Sequence, residues 1–121
     1  MQRVSLFAAA LLLSAFPFSS ATAQQSSGEE EFEQMAAALK ADDSERRSAI
    51  ETCIQQGIGD NPAAAAEFMG VPVEKAARAW CIRMTTGIAS GKLHLVDING
   101  LSEGTVTPAA QSVLTTVAEG E

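Results

Sequence analysis

The stretch VEKAARAWCIRMTTGI, residues 73–88, has the clearest helical periodicity in the chain. Its apolar residues recur every three or four positions and form one stripe, as in an amphipathic helix that packs on a core. We expect Lys75, Arg78 and Arg83 to project away from the stripe and to stay solvated. The predicted stripe consists of Val73, Ala76, Ala77, Trp80, Cys81, Met84 and Ile88. This helix is expected at the centre of the fold.

A second helix is predicted over residues 44–56, with Asp43 or Ser44 as its N-cap and Gly57 as its C-terminal stop. Its stripe contains Cys53, and the chain has only two cysteines. In an oxidising compartment such a pair indicates a disulfide, here between Cys53 and Cys81. The closed loop of about 29 residues would contribute about 3.5 kcal/mol to stability. The sequence therefore predicts two helices joined by one bond.

Two other roles for the cysteines have less support from their spacing. A redox pair is expected as C-x-x-C, and a structural zinc site needs four ligands. The chain has two Cys and one His, and the cysteines lie far apart in sequence. A reactive thiol or a metal ligand therefore remains the alternative to a structural disulfide, and we expect no metal or cofactor.

The N-terminal segment has the features of a secretory signal peptide. Arg3 precedes an apolar run over residues 4–16, and Ala21 and Ala23 form a small-x-small cleavage signal. Cleavage after Ala23 would make Gln24 the first residue of the mature protein. The run covers about 20 Å of a hydrocarbon core of about 30 Å, so it is too short to span a membrane. We expect a periplasmic or secreted protein without a membrane anchor after cleavage of residues 1–23.

The remaining chain is acidic. Residues 24–121 hold seven Lys and Arg against fifteen Asp and Glu, a formal charge of −8. Nucleic-acid binding requires clustered cations, whereas these are scattered and the Glu29–Glu33 run is negative. Nucleic acid and anionic membranes are therefore unexpected partners. The core must be small, because Phe32, Phe68 and Trp80 are the only aromatic residues after the predicted cleavage site.

The order of caps and apolar stripes predicts an all-α domain over residues 29–118, a small bundle of four or five short helices. A flexible lead-in over residues 24–28 would precede it, and residues 119–121 would fray. Ser27 and Glu30 fit a capping box for the first helix. Two further helix starts are predicted where a capping side chain precedes proline, at Asn61-Pro62 and at Thr107-Pro108.

One segment does not show helical periodicity. Residues 92–96 alternate apolar and polar, so we expect an extended arm over residues 92–101. Asp97-Ile98-Asn99-Gly100 resembles half of a calcium loop, but aligning its glycine places Leu95 and Val106 at ligand positions. Neither side chain can bind calcium. A tight turn is predicted there instead.

No catalytic or cofactor-binding motif occurs in the sequence, which favours a protein-interaction or structural module. Its process, partner identity and oligomeric state are not predicted. Such a module would expose an apolar patch to a protein partner. The candidate surface lies on the first helix and the arm: Phe32, Met35, Leu39, Leu93 and Leu95.

The alternative function is a small periplasmic enzyme or a thiol protein that uses Cys53 and Cys81. An enzyme would use His94 with nearby carboxylates as acid and base. It would require a concave pocket that gathers His94 with carboxylates.

Overall fold

The fold is all-α, as the sequence predicts. A computed structural model describes the backbone of residues 20–121 and the side chains from residue 28 onward. Within this range it contains no strand, and a single 3-10 turn, Val73–Lys75, precedes α4. The six α-helices are α1 (Ser20–Ala41), α2 (Asp43–Gln56), α3 (Pro62–Met69), α4 (Ala76–Ala89), α5 (Leu95–Ser102) and α6 (Pro108–Leu114). None of the helices described is long and apolar enough to cross a membrane.

Most of the predicted signal peptide lies outside the described residues. Its cleavage residues Ala21 and Ala23, with Gln24, fall in the first turns of α1. The helix also includes residues 24–28, which we expected to form a lead-in before a cap at Ser27. The described part of α1 therefore starts before the position that the capping box suggested. Cleavage after Ala23 remains a prediction.

Local capping signals predicted two helix starts correctly. The Asn61 side chain accepts a hydrogen bond from the Ala64 N–H at 3.2 Å, and Thr107 does the same for the Ala110 N–H at 3.1 Å. In both cases proline follows as the first helical residue, where its missing N–H has no effect. Gly70 ends α3 with a φ of 73°, a conformation that favours glycine.

The junction between α1 and α2 is a tight corner held by polar groups. The cap of α2 is Asp42, one residue before the earlier of the two predicted caps, and its carboxylate accepts from the Ser44 N–H at 2.8 Å. Arg46 reaches back and donates to the carbonyls of Leu39 at 2.7 Å and Lys40 at 2.9 Å. These carbonyls end α1 and have no partner inside the helix. Arg46 therefore fixes the angle between the two helices.

Helix α4 is the centre of the fold, and α1, α2, α3 and α6 all pack against it. The main buried cluster contains three alanines, Ala66, Ala76 and Ala79, with Met69 and Leu114. Small side chains allow helices to approach closely, but each buries little apolar area. The small core expected from the composition is confirmed.

The predicted disulfide is also confirmed. Cys53 on α2 is bonded to Cys81 on α4, with the two Cα atoms 5.7 Å apart. Cys81 is completely buried, whereas α2 contributes no fully buried residue to the core. The bond thus ties a helix with a shallow interface to the most deeply buried helix.

The single buried stripe predicted for α4 is wrong in two respects. Val73 is exposed and lies in the 3-10 turn before the helix, while Ile82 and Thr85, outside the predicted stripe, are buried. Arg83, expected in solvent, has only 1% of its side chain exposed. The physical reason is that four helices surround α4, so burial extends around most of its circumference.

The extended arm and the tight turn predicted for residues 92–101 are corrected by the structure, since Leu95–Ser102 forms α5. The backbone N–H of His94 donates to the Asp97 carboxylate at 2.8 Å, which caps the first turn. Asp97 is buried and also accepts from the Thr107 hydroxyl at 2.6 Å. The Thr107 hydroxyl lies ten positions from Asp97 in the sequence, so the alternation over residues 92–96 could not indicate this bond.

Residues 119–121, which we expected to fray, contact helix α4. The Arg83 guanidinium binds both carboxylate oxygens of Glu121, at 2.8 and 2.9 Å. Arg78 donates to the Gly120 carbonyl at 3.0 Å, which holds the same segment against α4. The charged partner of Glu121 lies 38 positions earlier in the sequence.

Candidate interaction cleft

An open cleft separates the middle of α1 from α5. Two adjoining cavities of about 350 and 670 Å³ form it, and both are lined by Glu29, Leu95 and Val96. We call this feature the α1–α5 cleft. It exists because α1 packs on α4 and α2, and α5 packs on α6, so the two walls lean on different parts of the bundle. Such volumes are typical of ligand sites.

The first cavity has an apolar floor and walls. Leu93 is buried beneath it, and Ile88 is half-buried beside Leu93. Phe32 from α1 and Leu95 from α5 are half-buried on opposite sides. Val96 is 68% exposed at the opening. A partner side chain entering here would therefore lose water contact on several sides and gain apolar contacts.

The rim of the cleft is negatively charged. Glu29 and Glu33 stand on the α1 side, and Glu103 lies at the far end of the second cavity. All three side chains are exposed. Among the described residues that line either cavity there is no Lys or Arg. The electrostatic potential at the opening is therefore expected to attract cations and to repel anions.

The predicted partner residues are only partly brought together. The cleft gathers Phe32, Leu93 and Leu95, although Leu93 is almost fully covered. Leu39 is buried, so it serves the core rather than a free surface. Met35 is exposed but does not line the cleft. The sequence showed the acidic run over residues 29–33 but did not assign that run, Val96 or Glu103 to the partner surface.

The first cavity also places His94 with Glu29 and Glu33, the juxtaposition that the enzyme alternative requires. His94 is exposed, and its Nδ1 lies 3.9 Å from an Asp97 oxygen, too far for a hydrogen bond. Nucleophilic catalysis also needs a nucleophile within reach of the base. No Ser, Thr, Cys or Lys occurs among the described residues lining this cavity.

Asp97 holds in place the helix that forms one wall of the cleft. The hydrogen bond from the Thr107 hydroxyl, aided by the His94 N–H, holds the pKa of the Asp97 carboxyl below its ordinary value despite burial. The ionised carboxylate accepts bonds from the start of α5 and from the cap of α6. Asp97 therefore fixes the helix that carries Leu95 and Val96.

The metal and thiol alternatives gain no geometric support. Over the side chains that the structure describes, no three His, Cys, Asp or Glu residues are grouped as metal ligands. The sulfurs of Cys53 and Cys81 are bonded to each other, and Cys81 is buried. Thiol exchange requires access to one of the two sulfurs. On this chain any such access is from the half-buried Cys53 side.

Comparison of the chain with protein-family models, with curated protein sequences and with solved structures gives no match.

Proposed function

We propose that this chain is an exported protein-interaction module that holds a cationic, amphipathic segment of a partner protein in the α1–α5 cleft. The observation that carries the proposal is the combination of an apolar floor in the first cavity with three exposed glutamates, and no Lys or Arg, among the described residues that line the two cavities. A partner segment with large apolar residues flanked by Lys or Arg would satisfy both features. A helix or an extended strand could present such a segment.

The exposure of apolar side chains in the α1–α5 cleft supports a binding role. None of the three aromatic residues that follow the predicted cleavage site is fully buried: Phe68 is 38% exposed, Trp80 is half-buried, and Phe32 is half-buried in the cleft. Leu95 and Val96 on the facing helix also keep exposed surface. In a domain with so small a core, these side chains would stabilise the fold more if they were buried. Their position is explained if a partner covers them.

Charge supports the same partner chemistry. The whole chain has a formal net charge of −7, and Glu29, Glu33 and Glu103 concentrate negative charge at the opening. Complementary charge raises the association rate and discriminates against acidic partners. Binding should therefore weaken as salt screens these exposed groups.

Export is supported by the leader and by the disulfide. Residues 1–23 have the order of a signal peptide, and the Cys53–Cys81 bond is of the kind that persists in oxidising compartments. Protein recovered from the exported fraction should therefore begin at Gln24 by mass spectrometry. Recovery of the intact leader from that fraction would contradict this part of the proposal.

The binding test uses a synthetic amphipathic peptide of Leu and Lys as the probe and a charge-reversed peptide of Leu and Glu as its control. We expect the Lys peptide to bind and the Glu peptide not to bind. Val96→Lys should weaken binding about tenfold or more, equivalent to about 1.4 kcal/mol, because it adds a like charge at the opening. Isothermal titration calorimetry at low salt measures both effects.

The matched control is Val117→Lys. Val117 is 72% exposed, close to the 68% of Val96, but it lies after α6 and outside the cleft. This variant should bind the Lys peptide as the unmodified protein does. Equal binding of the two peptides, or equal weakening by the two substitutions, would show that the cleft is not the binding surface.

A further inference from the structure

Arg83 is a buried cation with a defined internal anchor. Its Nη1 donates to the carbonyls of Met69 at 3.1 Å and Leu114 at 2.6 Å. These carbonyls lie at the ends of α3 and α6, so two helices hold one edge of the guanidinium in place. On the other edge, Nε and Nη2 donate to the two carboxylate oxygens of Glu121. This fork geometry matches a carboxylate.

The two sides of this ion pair differ in how firmly the fold holds them. Arg83 lies mid-helix and cannot lose its proton, so its buried charge always requires an anion. Glu121 lies in an irregular segment after α6, with 14% of its side chain exposed. Apart from Arg83, the carboxylate accepts a bond from the Ala118 N–H of its own segment. The segment that carries Glu121 is otherwise held by the exposed Arg78–Gly120 hydrogen bond, whereas two buried carbonyls hold Arg83.

A cavity suited to anions adjoins Arg83. It has a volume of about 160 Å³, lies between α4 and α6, and is also lined by Lys92. We call it the α4–α6 cavity. Among the described residues that line it there is no Asp or Glu, in contrast to the acidic rim of the α1–α5 cleft. Its walls carry four hydroxyl groups, from Thr86, Ser90, Ser112 and Thr116.

We propose that Arg83 and the α4–α6 cavity form a binding site for a small aliphatic carboxylate, and that Glu121 occupies the anion position of this site in cis. The ligand places one carboxylate on the outer edge of Arg83. A dicarboxylate extends its second group into the cavity toward Lys92. The site shares no lining residue with the α1–α5 cleft, so it stands apart from the proposed partner binding.

The test removes the cis carboxylate and supplies one in solution. Glu121→Ala deletes the two carbons and two oxygens beyond Cβ, and acetate replaces those atoms. Acetate at ten times its Kd multiplies the folded-to-unfolded ratio of this variant about elevenfold. For a domain of this size the corresponding rise in Tm is about 6 to 11 °C. Thermal unfolding by circular dichroism, in acetate and in chloride at equal ionic strength, measures it.

Three controls make the result specific. The unmodified protein should respond equally to acetate and chloride, because Glu121 fills the anion position. Glu121→Gln keeps that position filled without a charge and should not be rescued. Succinate should stabilise the Ala variant more than acetate does, and adding Lys92→Met should remove only that advantage.

Several outcomes would overturn the proposal. One is an equal effect of acetate and chloride on the Glu121→Ala variant, and another is equal rescue of the Gln variant. A Glu121→Ala chain that stays unfolded in both salts would also contradict it, because Arg83 would then not accept an external carboxylate. Folding that appears only in acetate would support it.

Discussion

Removal of the Cys53–Cys81 bond should be the most damaging covalent change to this fold. Helix α2 has no fully buried residue, so its packing on α4 depends on half-buried side chains and on the disulfide. Replacing both cysteines by Ala removes the bond without leaving a free thiol. We expect the double variant to fold, with α2 held much more loosely.

The size of the effect follows from the length of the closed loop. The cysteines are 28 positions apart, and a loop of this length corresponds to about 3.5 kcal/mol of unfolding free energy. A domain of about 100 residues has roughly 5 to 15 kcal/mol in total. The loss is therefore a large share, and the Tm should fall by about 14 to 28 °C.

Urea denaturation at neutral pH measures the loss for the double variant against the oxidised protein. Gln55→Ala, an exposed change on the same helix, is the control for helix propensity and should change stability little. Hydrogen exchange adds a local test, since the amides of α2 should lose protection before those of α4. A loss below about 1 kcal/mol would refute the reasoning, as would equal protection of the two helices.

Two further predictions concern packing and acid stability. Gly87→Ala places a Cβ 2.8 Å from a methyl carbon of buried Leu93, so the unfolding free energy should fall by about 1 to 3 kcal/mol in urea denaturation, whereas Gly28→Ala, with its nearest contact at 3.8 Å, should be neutral or stabilising. Equal stability of the two variants would contradict this. The Arg83 contact lowers the pKa of Glu121 from its ordinary 4.5, and the Thr107 hydroxyl lowers that of Asp97 from 3.8. Each lowered pKa stabilises the fold fully above the ordinary value, and this stabilisation is lost as pH falls through the lowered value. The urea concentration at the unfolding midpoint should therefore decrease below about pH 4.5, and less steeply in Glu121→Gln. Identical pH profiles of the two proteins would contradict a stabilising Arg83–Glu121 ion pair.

The parts of the fold that depend on local chemistry could be predicted from the sequence. Asn61 and Thr107 cap helices because their side chains reach N–H groups three residues on. Gly70 ends a helix because it adopts a positive φ. The disulfide followed from cysteine number and from the two apolar stripes. Each of these inferences required only neighbouring residues or simple elimination.

The errors share a cause, which is that the deciding partner is distant in sequence. Alternation over residues 92–96 suggested an extended arm, but α5 is capped by Asp97, whose carboxylate is itself held by Thr107. Arg83 carries a charged side chain off the predicted apolar stripe, so we expected it in solvent. Its partners Met69, Leu114 and Glu121 belong to three other segments.

The candidate cleft was predictable only in part. Phe32 and Leu95 were expected on a partner surface because each lies on an element with few core contacts, and the structure places both in the α1–α5 cleft. Leu39 shares a face with Phe32 on α1, yet Leu39 is buried whereas Phe32 is only half-buried. Sequence periodicity identifies which residues share a face but not where along the helix a neighbour begins.

Three sets of polar contacts explain why a protein with so small a core can keep apolar side chains exposed in a cleft. Arg46 fixes the α1–α2 corner, Asp97 joins α5 to α6, and Arg83 joins α3, α6 and Glu121. Charge-assisted hydrogen bonds of this kind specify geometry in places where an alanine-rich interface supplies little directional contact. With orientation set by these bonds and by the disulfide, Phe32 is not needed to hold α1 in place. It is therefore free to line a binding surface.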